Sequence, residues 1–175
     1  KEALAHMQDA EGLTLHSEYE IEPLENALFL CNQLIKRIIR ETGATKYQLY
    51  LTGGGNYRDK VATILPYKGG RDKLHKPYWF NEIKEYLIER WGAVVVEGYE
   101  ADDALSMSQY SNVNEIDGKT TCICSTDKDL KGMYGWSYNW DKDDKPHWIT
   151  EEEARRFFYW QMLTGDKSVD NIPGI

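Results

Sequence analysis

The chain has 175 residues, a formal net charge of −8 and 41 % hydrophobic residues, and its aromatics are mostly Tyr and Trp. That composition suits one domain with a real core and excludes global disorder. No run of eighteen apolar residues occurs, and the opening from Lys1 to His6 has no apolar segment behind it, so neither a membrane-spanning helix nor a signal peptide is read.

Residues 1–22 are polar and weakly patterned, an extended arm. From Pro23 to Thr42 apolar residues recur at helical spacing (Leu24, Leu28, Cys31, Ile35, Ile38, Ile39), with Pro23 suited to the first turn and Gly43 to the stop. Tyr47 to Leu51 reads as a strand running into Thr52-Gly53-Gly54-Gly55. The glycines let the backbone turn closely, but no Gly-Lys-Ser/Thr follows, so they are not a nucleotide-binding P-loop. Residues 57–76 then carry six basic groups (Arg58, Lys60, Lys68, Arg71, Lys73, Lys76) against two acids, Asp59 and Asp72. A helix follows from Pro77 to Trp91, stopped by Gly92, then a short buried strand over 93–96 and a helix from Glu100 to Gln109. Residues 92–118 hold six acids and no Lys or Arg. Thr120 to Ser125 is a further buried strand. Its Cys122 and Cys124 share a face and read as small core residues rather than a redox or metal pair. With Cys31 the cysteine count is odd and lacks framework spacing, which suits a reducing compartment.

Ser137 to Trp140 reads as a further strand, and the alternation of Tyr134, Trp136, Tyr138 and Trp140 reads as one packed hairpin face. Asp141 to Lys145 is its solvated turn, since it lacks the glycine and distal glutamate of a calcium loop. Thr150 caps a helix running to Leu163, with Glu153 completing a capping box. Helices alternating with short apolar strands mean an α/β fold: three layers, with a mostly parallel central sheet and helices on both faces.

Three acidic clusters stand out. Glu100-Ala101-Asp102-Asp103 follows one strand and opens a helix, Asp127-Lys128-Asp129 follows another strand, and Asp166 and Asp170 follow the last helix. Each alone is also an ordinary helix cap or turn. The first two fall at the carboxyl ends of strands, where parallel sheets form sites, so the fold can bring them together. Seven carboxylates converging without arginine partners would repel unless cations intervened. Oxygen donors without histidine select Mg²⁺ or Mn²⁺, and two such ions about 4 Å apart clamp the oxygens of a phosphodiester. The acids would hold cations and the basic segment a polyanion.

The order Tyr67-Lys68-x-x-Arg71, Glu100-Ala101-Asp102-Asp103, Asp127-Lys128-Asp129, then Gly165-Asp166…Asp170-Asn171-Ile172-Pro173-Gly174 resembles the 5′→3′ exonuclease / flap-endonuclease family, over residues 45 to 175. That family includes bacteriophage exonucleases and the 5′-nuclease domain of bacterial DNA polymerase I, and its catalytic fold is PIN-like. The resemblance implies hydrolysis of DNA phosphodiesters with two Mg²⁺ or Mn²⁺ ions. Glu100, Asp102 and Asp103 would serve the first ion and Asp129, Asp166 and Asp170 the second, with Asp127 between them. Lys68 would stabilise the scissile phosphate, Tyr67 would stack on a terminal base, and Arg58, Arg71 and Lys76 would hold phosphates on an arch for a 5′ end. The implied partner is DNA with a 5′ end or flap, or an RNA–DNA hybrid. The implied setting is the cytoplasm of a bacterial or phage-infected cell, the implied state a monomer.

Three departures from the family pattern stand in the sequence. No apolar strand ending in Asp precedes Pro23, because Asp9 lies in a polar stretch. Thr52 stands where many members carry Asp, and Asp166-x-x-x-Asp170 is one residue longer than usual. The expectation is a PIN-like catalytic domain over 1–175 lacking its first strand and the helix-hairpin-helix module that the family enters after Ile-Pro-Gly. The alternatives are a PIN-type ribonuclease and a nucleic-acid-binding domain without catalysis.

Overall fold

The computed structural model describes residues 3–8, 14–19, 21–62, 67–68, 76–113, 120–166 and 172–173. Nine strands and five helices are assigned among them, and the fold is mixed α/β.

The first element corrects the expectation of a simple arm: β1 (Ala3–Gln8) and β2 (Thr14–Tyr19) pair antiparallel over six residues each. Extended chain is the right conformation, but its backbone groups find their partners in a ladder. Helix α1 (Leu24–Thr42) realises the apolar spacing and buries Ile35. Pro23 sits just ahead of the first turn, its carbonyl accepting from Asn26 N–H at 3.1 Å. Gly43, at φ 65°, ends α1 in the left-handed region that favours glycine.

Strand β3 (Tyr50–Thr52) pairs parallel with β4 (Val94–Val96), Thr52 opposite Val96. Between them lie α2 (Arg58–Val61), a single turn, and α3 (Phe80–Trp91), which begins three residues later than Pro77. A Cβ at Gly53 would lie 2.6 Å from the Val96 carbonyl oxygen and collide with the Glu97 carboxylate. Glu97 in turn accepts the Gly54 N–H at 2.9 Å. The triple glycine is thus a close crossing of backbone past the end of β4, and Glu97 is its fastener.

Helix α4 (Ala101–Val113) runs on from β4 and extends four residues past the predicted Gln109. Gln109 is 1 % exposed. Its Nε2 donates to the carbonyls of Tyr134 (3.2 Å) and Trp136 (3.1 Å), and its Oε1 accepts from the Thr121 hydroxyl at 3.1 Å. A buried amide with its groups so satisfied fixes α4 against the three-stranded sheet.

That sheet joins β5 (Cys122–Cys124) parallel to β6 (Gly135–Tyr138), and β6 antiparallel to β7 (His147–Ile149). The hairpin over 135–149 is present, but its aromatics are not equally packed. Tyr138 is buried, whereas Trp136 is exposed and meets Trp148 edge-on, ring centroids 5.8 Å apart. The turn closes on itself: Asn139 N–H donates to Asp143 (2.8 Å), and Asn139 Oδ1 accepts from Asp141 N–H (3.1 Å). Helix α5 (Glu151–Thr164) starts with the expected capping box. Thr150 Oγ1 accepts from Glu153 N–H (3.2 Å), and Glu153 Oε2 accepts from Thr150 N–H (2.8 Å). Strands β8 (Gly165–Asp166) and β9 (Ile172–Pro173) close the chain as an antiparallel pair. Val96, Ile123, Leu130, Tyr138, Ile149 and Ala154 are buried. No helix among the described residues is long and apolar enough to cross a membrane.

Candidate functional site

Thr52, at the carboxyl end of β3, accepts the Ala101 N–H on its hydroxyl at 3.1 Å. One of the first-turn amides that a helix leaves unsatisfied is thereby capped from another strand, which fixes the turn that carries Asp102 and Asp103. Asp103 caps the same turn through Glu100 N–H at 3.0 Å.

The basic segment reaches this turn. Arg58 grips Asp103 with both terminal nitrogens, at 2.6 and 2.8 Å. Lys68 forms an ion pair with Glu100, and the Tyr67 hydroxyl donates to Glu100 at 3.0 Å. The Arg58 guanidinium lies 4.9 Å from the Tyr57 ring centroid, and Lys68 Nζ 5.0 Å from that of Tyr67. Lys68 adopts φ 54°. A lysine in that region carries backbone strain of about 1–2 kcal/mol, which the surrounding contacts must sustain.

Past β5, Ser125 Oγ accepts Asp127 N–H (3.1 Å) and Asp127 Oδ1 accepts Asp129 N–H (2.9 Å), a self-capped turn leading into the 3₁₀ turn Asp129–Gly132. The buried Asn139 donates to the Thr126 carbonyl at 3.3 Å. Gln161 on α5 donates to Asp129 Oδ1 at 2.6 Å. Lys128 pairs with Asp166 at 2.7 Å, and the Asp166 side chain is only 4 % exposed.

The charges divide into two kinds. The Arg58 fork lowers the Asp103 pKa, and Asp103 in turn holds Arg58 more firmly protonated. Burial pushes Glu100 up, but hydrogen bonds from Lys68 and Tyr67 outweigh it and leave it below its ordinary value. Asp102 goes the other way: burial raises it first, then the charge of Asp127, then that of Glu100. Burial also raises Asp129, against the Gln161 hydrogen bond and with help from Asp127.

The expectation that the acids converge without arginine partners is therefore corrected at Asp103, which Arg58 grips. Glu100 and Asp103 are balanced by Lys68 and Arg58, because the basic segment folds onto them rather than standing clear, and Asp166 is balanced by Lys128 from the turn after β5. Asp102 and Asp127 do come within electrostatic reach across the ends of β4 and β5. Lys76 lies over the Phe80 ring at 4.8 Å. Asp170 and Arg71 lie outside the described residues.

The donor set suits a hard divalent ion in kind: carboxylate oxygens, no histidine, and two acids disfavoured by like charge. Among the described residues no three His, Cys, Asp or Glu side chains are grouped so as to hold a metal ion. Sequence reasoning missed Gln161, the capping role of Thr52 and the Lys128–Asp166 pair. Each depends on a contact between distant elements or on a side-chain direction that no local spacing encodes. Comparison with protein-family models, curated proteins and solved structures finds no match.

Proposed function

We propose that the chain is a metal-dependent 5′ nuclease, a 5′→3′ exonuclease or flap endonuclease hydrolysing DNA phosphodiesters, with a PIN-like three-layer fold. The observation that carries this reading is that Asp102 lies within electrostatic reach of Asp127 and Glu100, in the same helical turn whose Glu100 and Asp103 are held by Tyr67, Lys68 and Arg58. Carboxylates to take a cation stand here with a tyrosine and two basic groups suited to a polyanion.

When bound, two Mg²⁺ or Mn²⁺ ions would supply Lewis-acid activation and charge neutralisation, held by Glu100, Asp102, Asp103, Asp127, Asp129, Asp166 and Asp170. The chain's own groups do the rest. Lys68 and Arg58 exchange carboxylate partners for phosphate oxygens as substrate enters, and a bidentate guanidinium matches a phosphate as well as it matches Asp103. Tyr67 presents its ring for stacking on a terminal base while its hydroxyl orients Glu100. Thr52 and Glu97 keep the crossing beneath the site rigid.

The test is cleavage of a 5′-flap DNA and of single-stranded RNA, in Mg²⁺ and in excess chelator. The expected result is flap cleavage that chelation abolishes, with slower cleavage of RNA. A preference for RNA would move the reading to a PIN-type ribonuclease, and no Mg²⁺-dependent cleavage of either would overturn it. The ion pairs on Glu100, Asp103 and Asp166 favour one second reading, a nucleic-acid-binding domain whose acids are neutralised by its own cations. Calorimetric titration with Mn²⁺ separates the two, because that domain would take up no ion.

A further inference from the structure

Gln161 sits at an unusual place for its chemistry. On α5 it follows Ala154 and Phe157 at the i, i+3, i+7 spacing of one helix face. Ala154 is 3 % exposed, and the Phe157 ring lies 4.0 Å from where a Cβ on Gly132 would stand, so this face packs on the 3₁₀ turn that opens with Asp129. Gln161 puts an amide there, and the hydrogen bond that it makes runs to the Asp129 carboxylate at 2.6 Å. The Asp129 backbone N–H in turn donates to Asp127 Oδ1. The turn after β5 therefore fixes the Asp129 main chain, and α5, through Gln161, fixes its carboxylate.

An amide donor is suited to this task in a way that a lysine is not. It orients a carboxylate and favours its ionised form without neutralising it, so the charge stays available to a cation. Lys128, next in the chain, does the opposite to Asp166.

We infer that Gln161 is a positioning residue for the candidate metal site: its side-chain amide aims Asp129 toward the ion that Asp129 shares with Asp127. The inference rests on the nuclease reading. Outer partners that orient a ligand typically contribute 10–100-fold to metal affinity.

The experiment is Mn²⁺ calorimetry on the full chain, the Gln161→Met and Asp129→Asn variants and the double variant, with thermal unfolding of each in chelator. Methionine keeps the length and packing of the side chain and removes the donor. In Gln161→Met the weaker of two Mn²⁺ binding steps should lose about 10-fold or more in affinity, with the metal-free unfolding temperature unchanged. In the Asp129→Asn background the same change should cost nothing further. Wild-type affinity in Gln161→Met would overturn the inference and leave the nuclease reading intact. So would an equal loss in both backgrounds, or a loss that follows only a lowered unfolding temperature. Absence of Mn²⁺ binding by the unaltered chain would overturn the nuclease reading and this inference with it.

Discussion

Asp102 and Asp103 are neighbours in one helical turn, yet their surroundings differ in sign. Asp103 is gripped by Arg58, while Asp102 is half-buried toward Asp127 and Glu100. Substituting each by Asn should move stability in opposite directions in chelator. Asp103→Asn removes charge-assisted hydrogen bonds from a partly buried fork, a loss of about 2 kcal/mol, or roughly 4–8 °C in melting temperature for a chain of this size. Asp102→Asn removes a carboxylate that burial and like charge disfavour, and should raise the melting temperature. The pH dependence has matching signs. The Asp103 contribution is present above its unfolded value and is lost as pH falls through its lowered folded value. The Asp102 penalty is full above its raised folded value and disappears as pH falls below its unfolded value. Differential scanning calorimetry of both variants across the acid range checks this. The acid clusters themselves were legible in the sequence, because strand ends and helix starts can be read from apolar runs. Which acid faces a cation and which faces another acid was not, since Arg58 and Lys68 reach Asp103 and Glu100 from 45 and 32 residues away.

At the scale of elements, α5 and the β3–β4 junction give the clearest tests. Thr150→Ala breaks the capping box and should cost about 1 kcal/mol, a fall of roughly 2–4 °C. Hydrogen bonds to the backbone and side chain of Thr150 lower the Glu153 pKa. The cap's contribution is therefore full above the ordinary glutamate range and fades as pH falls through the lower folded value, and the variant should lose that dependence. Gly53→Ala should destabilise by about 1–3 kcal/mol, since the new methyl meets the Val96 carbonyl. Melting curves read both effects. The capping box and the glycine stops of α1 and α3 followed from local chemistry visible in the sequence, while the hairpin turn read at 141–145 closes its hydrogen bonds at 139–143. The pairing of β1 with β2 did not, because a polar stretch without clear alternation specifies extended chain but not its partner.

For the molecule as a whole, a net charge of −8 poses the problem of how it would hold a polyanion. The pairs Arg58–Asp103 and Lys68–Glu100 supply an answer within the proposed function. A cation that takes over the carboxylates releases two basic side chains for phosphate, and a polyanion that takes the basic side chains releases two acids for the ion. Binding of the two is then mutually favourable, a reciprocal coupling of the size usual between linked sites, about 5–150-fold. Flap-DNA affinity measured in Ca²⁺ should exceed that in chelator by a factor in this range, and the Arg58→Met/Lys68→Met variant should lose most of the difference.

The most direct test of the central claim is the single-turnover rate of 5′-flap DNA cleavage in Mg²⁺ by the chain and by Asp127→Ala. In the free protein the charge of Asp127 raises the pKa values of both Asp102 and Asp129, one from each of two acidic clusters. The account predicts cleavage by the unaltered chain and a loss of at least about 100-fold in the variant, since even outer partners of a metal ligand are worth 10–100-fold. An Asp127→Ala chain that cuts the flap as fast as the unaltered one would contradict it.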